Sequence, residues 1–529
     1  MTDYAIGVDV GTGSVRAALF DMAGTRFALA DAPIRLNRPR PLYAEQSSAD
    51  IWAGVCATVR SIMRQSGVHP SDVRAIGFDA TCSLVALDDH GAPTSVSPGD
   101  EDQWNVVVWM DHRAIDEALA INQGNHEVLK YVGGAISPEM EIPKILWLKN
   151  HRPDQYQRVA HFFDLADFLT FRATGSMTRS SCTTSCKWTY LNHEKRWSPS
   201  FFDSLGLFEL LQGERIGSQI KDPGEAIGTL SVQAAAELGL PQSVVVGAGL
   251  IDAHAGGLGV LGDAPEETLA VIAGTSACHM ASNRSLNFVP GIWGPYYGAM
   301  IPGYWLAEGG QSAAGALVDF VIRDSAAYPR LQDEMRRQDV SAYTCLNELI
   351  AQIETLVRFP TADFHLLGYY LGNRSPLADP TLTGSICGLK LDDSLESLAI
   401  RYLAALQSVA YGTRHIIETM NSHGFAIRRV RLCGGGAKNP LWVREFADIT
   451  GMPIEIISES EAMLLGSAML GATACGHFKS LPLAMIGMSG DASVTIPREN
   501  TATFHDSKYA IFREMANDQI KYRTLRQAS

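Results

Sequence analysis

Two aspartates in this 529-residue chain stand beside glycine-rich turns, in surroundings suited to moving a phosphoryl group. Asp9 lies in the run Ile6-Gly7-Val8-Asp9-Val10, just before Gly11-Thr12-Gly13-Ser14, and Asp252 follows Val246-Gly247-Ala248-Gly249. A second Gly-Thr turn, Gly274-Thr275-Ser276, follows Val271-Ile272-Ala273 in the other half of the chain. Each reads as strand, turn and strand, with glycine expected to supply the φ > 0 backbone of a tight hairpin and the turn amides converging on an anion. Gly-Thr-Gly-Ser is also an ordinary hairpin turn. The second copy is what implies a polyphosphate held between two halves. A carboxylate at Asp9 would repel that phosphate unless a divalent cation lay between them, so the pattern argues for a nucleotide with Mg2+, and Asp9 as the residue that organises the metal.

Three further groups fit phosphoryl transfer, which needs restrained phosphates, neutralised charge and an oriented acceptor. Arg16 leaves the first turn where its planar fork could reach the transferred phosphate, or could simply be solvated. Asp252, without bulky neighbours, reads equally as a general base and as a helix N-cap. Gly434-Gly435-Gly436 joins the strand Val430–Cys433 to a helix over 441–450, where backbone can approach a base or ribose, or merely turn.

The elements that must position these groups follow from length and pattern. A chain this long exceeds one hydrophobic core and predicts two large domains, with 46% hydrophobic and 19% charged residues placing it in the globular class. Net charge −14 argues against nucleic-acid binding, no apolar run is long enough for a membrane span, and nine scattered cysteines favour a reducing cytoplasm. Cys182 and Cys186 form the only close pair; no second Cys or His pair follows at finger spacing, so a structural role is favoured over a metal site. The first hairpin continues as a meander through Asp21-Met22-Ala23-Gly24 rather than as a Rossmann opening. A helix is predicted over 49–65, with Ile51, Trp52, Val55, Val59, Ile62 and Met63 as its buried stripe. Val73–Asp79 reads as a strand running into Ala80-Thr81-Cys82-Ser83, with Leu84–Leu87 resuming the same sheet. Helical patterns are expected over 143–150 and 162–171, and a small-residue helix opens at Asp252. Strands with intervening helices make an α/β chain.

Four motifs in this order resemble the FGGY carbohydrate kinases of the actin-like ATPase superfamily. They are Asp9 to Arg16, Asp252 within Gly249-Leu250-Ile251-Asp252-Ala253-His254, Gly274-Thr275-Ser276, and Gly435-Gly436-Ala437-Lys438-Asn439. The resemblance implies two ribonuclease-H-like domains, 1–265 and 266–529, with an ATP and sugar cleft between them. It implies Asp252 as the general base, and ATP contacts from Gly11, Thr12, Gly13, Ser14, Arg16, Gly274, Thr275, Gly310, Gly435, Gly436 and Asn439. It leaves room for a homodimer.

Sugar identity within the family is set at the turn after the strand containing Gly77. Here Thr81-Cys82-Ser83-Leu84-Val85 resembles the D-ribulose kinase subgroup, whereas glycerol kinases carry an Arg-Glu pair and xylulose kinases a Met-His pair. Trp109-Met110-Asp111-His112-Arg113 resembles the following sugar-side segment, and Lys187 and Glu308 would reach sugar hydroxyls by similarity to L-ribulose kinases. The sugar contacts so implied are Thr81, Cys82, Ser83, Asp111, Lys187, Asp252 and Glu308. Ala253 departs from the pattern, since glycerol and xylulose kinases carry a substrate-touching amide there. The expected reaction is ATP-dependent phosphorylation of a ketopentose, D-ribulose at its 5-hydroxyl. The rivals are kinases for L-ribulose, ribitol or D-xylulose and, from another class, a nucleotide-gated actin-like binding module.

Overall fold

The structure is a computed structural model that describes residues 2–527. Strands β1 (Tyr4–Val10), β2 (Ser14–Asp21), β3 (Arg26–Pro33), β4 (Val73–Ala80), β5 (Ala226–Thr229), β6 (Val245–Gly247) and β7 (Leu250–Ile251) form the first sheet. Its order is β5-β6-β4-β1-β2-β3, with β7 also on β4; β1 and β2 are an antiparallel hairpin, and β4 runs parallel to β1. The second sheet contains β8 (Thr268–Ala273), β9 (Ala277–Asn283), β10 (Trp293–Tyr297), β11 (Trp305–Gln311), β12 (Arg429–Cys433), β13 (Ile454–Ile457) and β14 (Ala492–Thr495). Its order is β10-β11-β9-β8-β12-β13-β14. Here too an antiparallel hairpin, β8–β9, has a parallel neighbour, β12, on its first strand. The two sheets repeat one plan, and each Gly-Thr turn closes the corresponding hairpin.

Helix α1 (Ser48–Ser66) starts where Ser47 Oγ accepts from the Asp50 amide and stops at Gly67 in the left-handed region. Its buried side includes Ile51, Trp52, Val55, Val59 and Ile62, while Met63 is only half-buried. Four more helices bear on the site: α2 (Ser181–Lys187), α3 (Asp252–Leu261), α4 (Gly315–Arg323) and α5 (Pro440–Thr450).

Helix α6 (Ala462–Ala474) comes from the C-terminal half, yet lies against β1 and β4 of the first sheet and against α3. Glycines make that approach possible. A Cβ at Gly7, Gly77 or Gly259 would fall inside the carbonyl oxygen of Leu464, Ser467 or Ala462, and one at Gly466 inside that of Ala255. Backbone packs on backbone, and even one methyl group has nowhere to go.

Several expectations need correction. Leu84–Leu87 does not resume the main sheet: it joins Glu45–Gln46, Val106–Val107 and His161–Asp164 in a separate four-stranded sheet. The 162–171 pattern is strand to Asp164, then helix from Leu165 to Thr174, with Asp164 capping the turn between them by accepting from Ala166 N. Beyond the strand that enters the glycine loop, the second sheet continues through β13 and β14. The hairpin glycines are the most informative case. Gly11, Gly13 and Gly274 do not adopt positive φ, so the turns do not require glycine for backbone conformation.

Candidate active site

The smaller of two adjoining cavities, about 380 Å³, lies between the two hairpins. Thr12 reaches it from the first turn, Thr81 and Cys82 from the end of β4, Lys187 from the last turn of α2, Asp252 from the first turn of α3 and Glu308 from β11. Gly274 and Thr275 line this cavity and also a larger one of about 1180 Å³, whose far wall carries Gly435, Gly436 and Asn439. The second Gly-Thr turn is therefore the threshold between the chambers.

The hairpin glycines now have a reason. A Cβ at Gly13 would meet no protein atom within 4 Å, and at Gly11 or Gly274 only a carbonyl oxygen at 3.7 Å, of Ser14 and Ser276 respectively. With ordinary φ and open space above, nothing in the protein excludes a side chain. A ligand laid on the turn amides would.

Asp252 is the first residue of α3, and the N-cap position belongs to Ile251, so the capping alternative fails. Its Oδ1 accepts only from the adjacent Ala253 amide at 2.7 Å. Burial, and then the nearby negative charge of Asp9, push its carboxyl up to about 6. Asp9 faces Asp79 across the parallel β1–β4 pair. The Asp79 Oδ2 accepts from Ser467 Oγ at 2.5 Å, whereas its Oδ1 is buried without a hydrogen-bond partner. Burial and the proximity of Asp9 raise the Asp79 carboxyl well above the usual range. Two carboxylates forced together, one oxygen unsatisfied, suit a divalent cation.

Around the smaller cavity, His254 Nε2 lies 3.4 Å from Glu308 Oε2. Burial alone would raise the Glu308 carboxyl, but the hydrogen bond and positive charge of His254, helped by Lys187 and Arg374, hold it at about 2. The Lys187 ammonium makes no hydrogen bond or ion pair to the protein among the described residues. It is a desolvated donor facing a cavity.

Other predicted site residues lie elsewhere. Asp111 is fully buried; it accepts both Nε and Nη2 of Arg113, at 2.9 and 2.7 Å, and the Ala44 amide at 2.6 Å, so it holds the fold rather than a ligand. Ser83 is also fully buried, accepting the Trp109 amide at 3.1 Å and bonding Thr81 Oγ1. Gly310 borders neither chamber and instead leaves room for Arg374, whose Cδ would lie 2.9 Å from a Cβ there. Arg16 is committed to Asp9 and, at 2.8 Å, to Glu461. Ser14 sits behind the first turn, its carbonyl accepting the Gly11 amide at 3.0 Å. Asn439 lines the larger chamber but spends its amide on capping α5 and bonding Tyr402 and Asn347.

Sequence reasoning missed Arg374 and Glu139, which reach the smaller cavity from irregular segments and lie 4.0 Å apart. Arg374 also stacks over Trp293, 4.3 Å from the ring centre. No local spacing marks either residue. Asp79 had a signal, because it occupies the same strand-end position on β4 that Asp9 occupies on β1.

Family models for the N-terminal and C-terminal domains of the FGGY family of carbohydrate kinases match residues 4–259 and 269–475. The chain belongs to the FGGY family of carbohydrate kinases. Among relatives of this FGGY kinase, a Xenopus laevis FGGY carbohydrate kinase domain-containing protein is 46% identical over 99% of this chain and 98% of its own length. A Saccharomyces cerevisiae D-ribulokinase is 40% identical over 90% of this chain and 72% of its own length. The solved xylulose kinase of Rhodospirillum rubrum matches the fold with TM-score 0.81 at 21% identity, covering 98% of this chain and 99% of that one. The FGGY kinase thus has the family's two actin-like, ribonuclease-H-like domains around a cleft, and it is a sugar kinase. Among the described residues no helix is long and apolar enough to cross a membrane.

Proposed function

We propose that this kinase transfers the γ-phosphoryl group of ATP to the 5-hydroxyl of D-ribulose. The observation that carries the reading is the threshold at Gly274-Thr275, which joins a chamber large enough for a nucleoside to a small polar chamber containing Asp252. Adenosine would occupy the larger chamber against Gly435 and Gly436. Its phosphates would cross the second turn toward the first, and the sugar would lie between Thr81, Cys82, Lys187 and Glu308.

In the transfer, Asp252 takes the proton of the attacking hydroxyl as that oxygen bonds to the γ-phosphorus and the bond to the β-phosphate oxygen breaks, leaving ADP. Its raised carboxyl suits a base working near neutrality. Mg2+ would be held by Asp9 and Asp79 and, when bound, would neutralise phosphate charge. Arg16 orients Asp9 by pairing with it. Lys187 and Glu308 offer a donor and an acceptor to hydroxyls of a polyol. Closure of the cleft would exclude water as a rival acceptor.

D-ribulose is favoured over L-ribulose, ribitol and D-xylulose by the Thr81-Cys82 turn and by the yeast relative's name. ADP release measured across these four acceptors tests the choice: kcat/KM should be highest for D-ribulose. A value no better than for the others removes the substrate assignment.

A further inference from the structure

Helix α2 carries Cys182 and Cys186 on its buried side, and behind the sugar chamber these meet His254 of the catalytic helix α3. His254 Nδ1 lies 3.2 Å from Cys182 Sγ, while Nε2 faces Glu308 Oε2 at 3.4 Å. Cys182 Sγ also accepts the Ile251 amide at 3.4 Å. Nε2 therefore faces a carboxylate, and Nδ1 faces a sulfur that already accepts from a backbone amide. An imidazole donating on both sides is a cation, and its sulfur partner then carries the compensating charge.

We infer that Cys182 is a buried thiolate paired with a His254 imidazolium, and that this pair positions Glu308 for the sugar. The inference rests on the sugar-kinase reading of the smaller chamber. Cys182 lies outside that chamber and acts through His254, so it is a positioning residue. Neither charge faces bulk water, since Cys182 is fully buried and His254 is 1% exposed. Burial alone would raise the thiol, but hydrogen bonding from Cys186 and the charge of His254 bring Cys182 down to about 5. Burial would likewise lower His254, but Cys182 and then Glu308 carry it up to about 10. The other charged or titratable groups near the pair are Asp164 and Asp167 beside Cys182, and Asp252 beside His254. Burial raises both, Asp164 well above its ordinary range and Asp167 to about 7.

This pairing gives the Cys182–Cys186 spacing a reason that does not need a metal. The ligand atoms of Cys182, Cys186 and His254 do lie within 4.8 Å of one another, so zinc is the competing occupant. The two arrangements differ in what they leave detectable.

The test is the far-ultraviolet thiolate absorbance of the full-length protein in a Cys387→Ser background, with zinc content measured on the same sample. Seven other thiols, Cys56, Cys82, Cys186, Cys278, Cys345, Cys433 and Cys475, are held above their ordinary range, so they stay silent near neutrality. One thiolate per chain should be present from about pH 6 to 8. It should vanish in Cys182→Ser and in His254→Gln, and persist in Cys186→Ser. In kinetics, Cys182→Ser should raise KM for the sugar about tenfold, the scale of losing a charged hydrogen bond, with KM for ATP unchanged. Absence of the thiolate, its survival in Cys182→Ser or His254→Gln, or stoichiometric bound zinc would overturn the pair. An unchanged sugar KM in Cys182→Ser would overturn the positioning role. The absorbance arm uses no sugar, so an error in the D-ribulose assignment would leave its result standing.

Discussion

The indole Nε1 of Trp109 donates to Thr12 Oγ1 across 2.9 Å, tying one wall of the smaller cavity to the first Gly-Thr turn. The same turn is anchored from behind, where Gln46 Nε2 donates to the Thr12 carbonyl at 2.7 Å. Trp109 is itself held by Ser83, which accepts its backbone amide. A displacement of that wall therefore reaches the first turn through one indole. Trp109→Phe keeps the ring and loses the bond. It should raise KM for both substrates, by about fivefold for roughly 1 kcal/mol of lost hydrogen bonding. Steady-state kinetics with each substrate varied checks this, and an effect on only one KM would contradict the coupling.

Asp252→Asn should lower kcat by about 10² to 10⁴, the usual contribution of a positioned base, while calorimetry still detects sugar binding. The wild-type pH profile carries the same information. A base works only when ionised, and burial with the Asp9 charge raises Asp252 to about 6, so kcat should fall as pH drops through about 6. A profile flat to about pH 4.5 would place the base elsewhere.

Two glycines should respond in opposite ways to the same methyl group. Gly13→Ala meets no protein atom, so thermal unfolding should shift by less than about 0.5 kcal/mol equivalent while KM for ATP rises. Gly7→Ala drives a Cβ into the Leu464 carbonyl oxygen and should destabilise by about 1 to 3 kcal/mol or more. Melting curves alongside ATP kinetics separate the two.

Asp111→Asn should behave as a stability variant. The Arg113 guanidinium is buried between Asp111 and Glu45, and weakening one partner of such a pair costs roughly 3 kcal/mol. Urea unfolding should show that loss, with the ratio of kcat/KM between D-ribulose and D-xylulose unchanged in the variant that remains folded. A changed ratio would return Asp111 to the sugar site.

These cases show what the sequence could and could not convey. The hairpins were legible because alternation and Gly-Thr punctuation are local, and the place of Asp252 on the smaller cavity was legible because its neighbours are small. Asp111 and Ser83 misled because a polar residue beside a motif looks the same whether it faces a cavity or an arginine. The partner that decides, Arg113, is two residues from Asp111 yet also reaches Glu45, far away in the chain. Arg374 and Glu139 were invisible for the converse reason. Each lies in irregular backbone, brought to the cavity only by tertiary packing.

Gly7 and Gly77 lie inside strands of the first sheet and Gly259 inside the small-residue helix, where they admit helix α6 from the C-terminal half. The C-terminal half thereby lends the first sheet one of its covering helices. A chain ending before Ala462 would leave that face of the first sheet bare, so the two halves are one interlocked unit rather than separable modules.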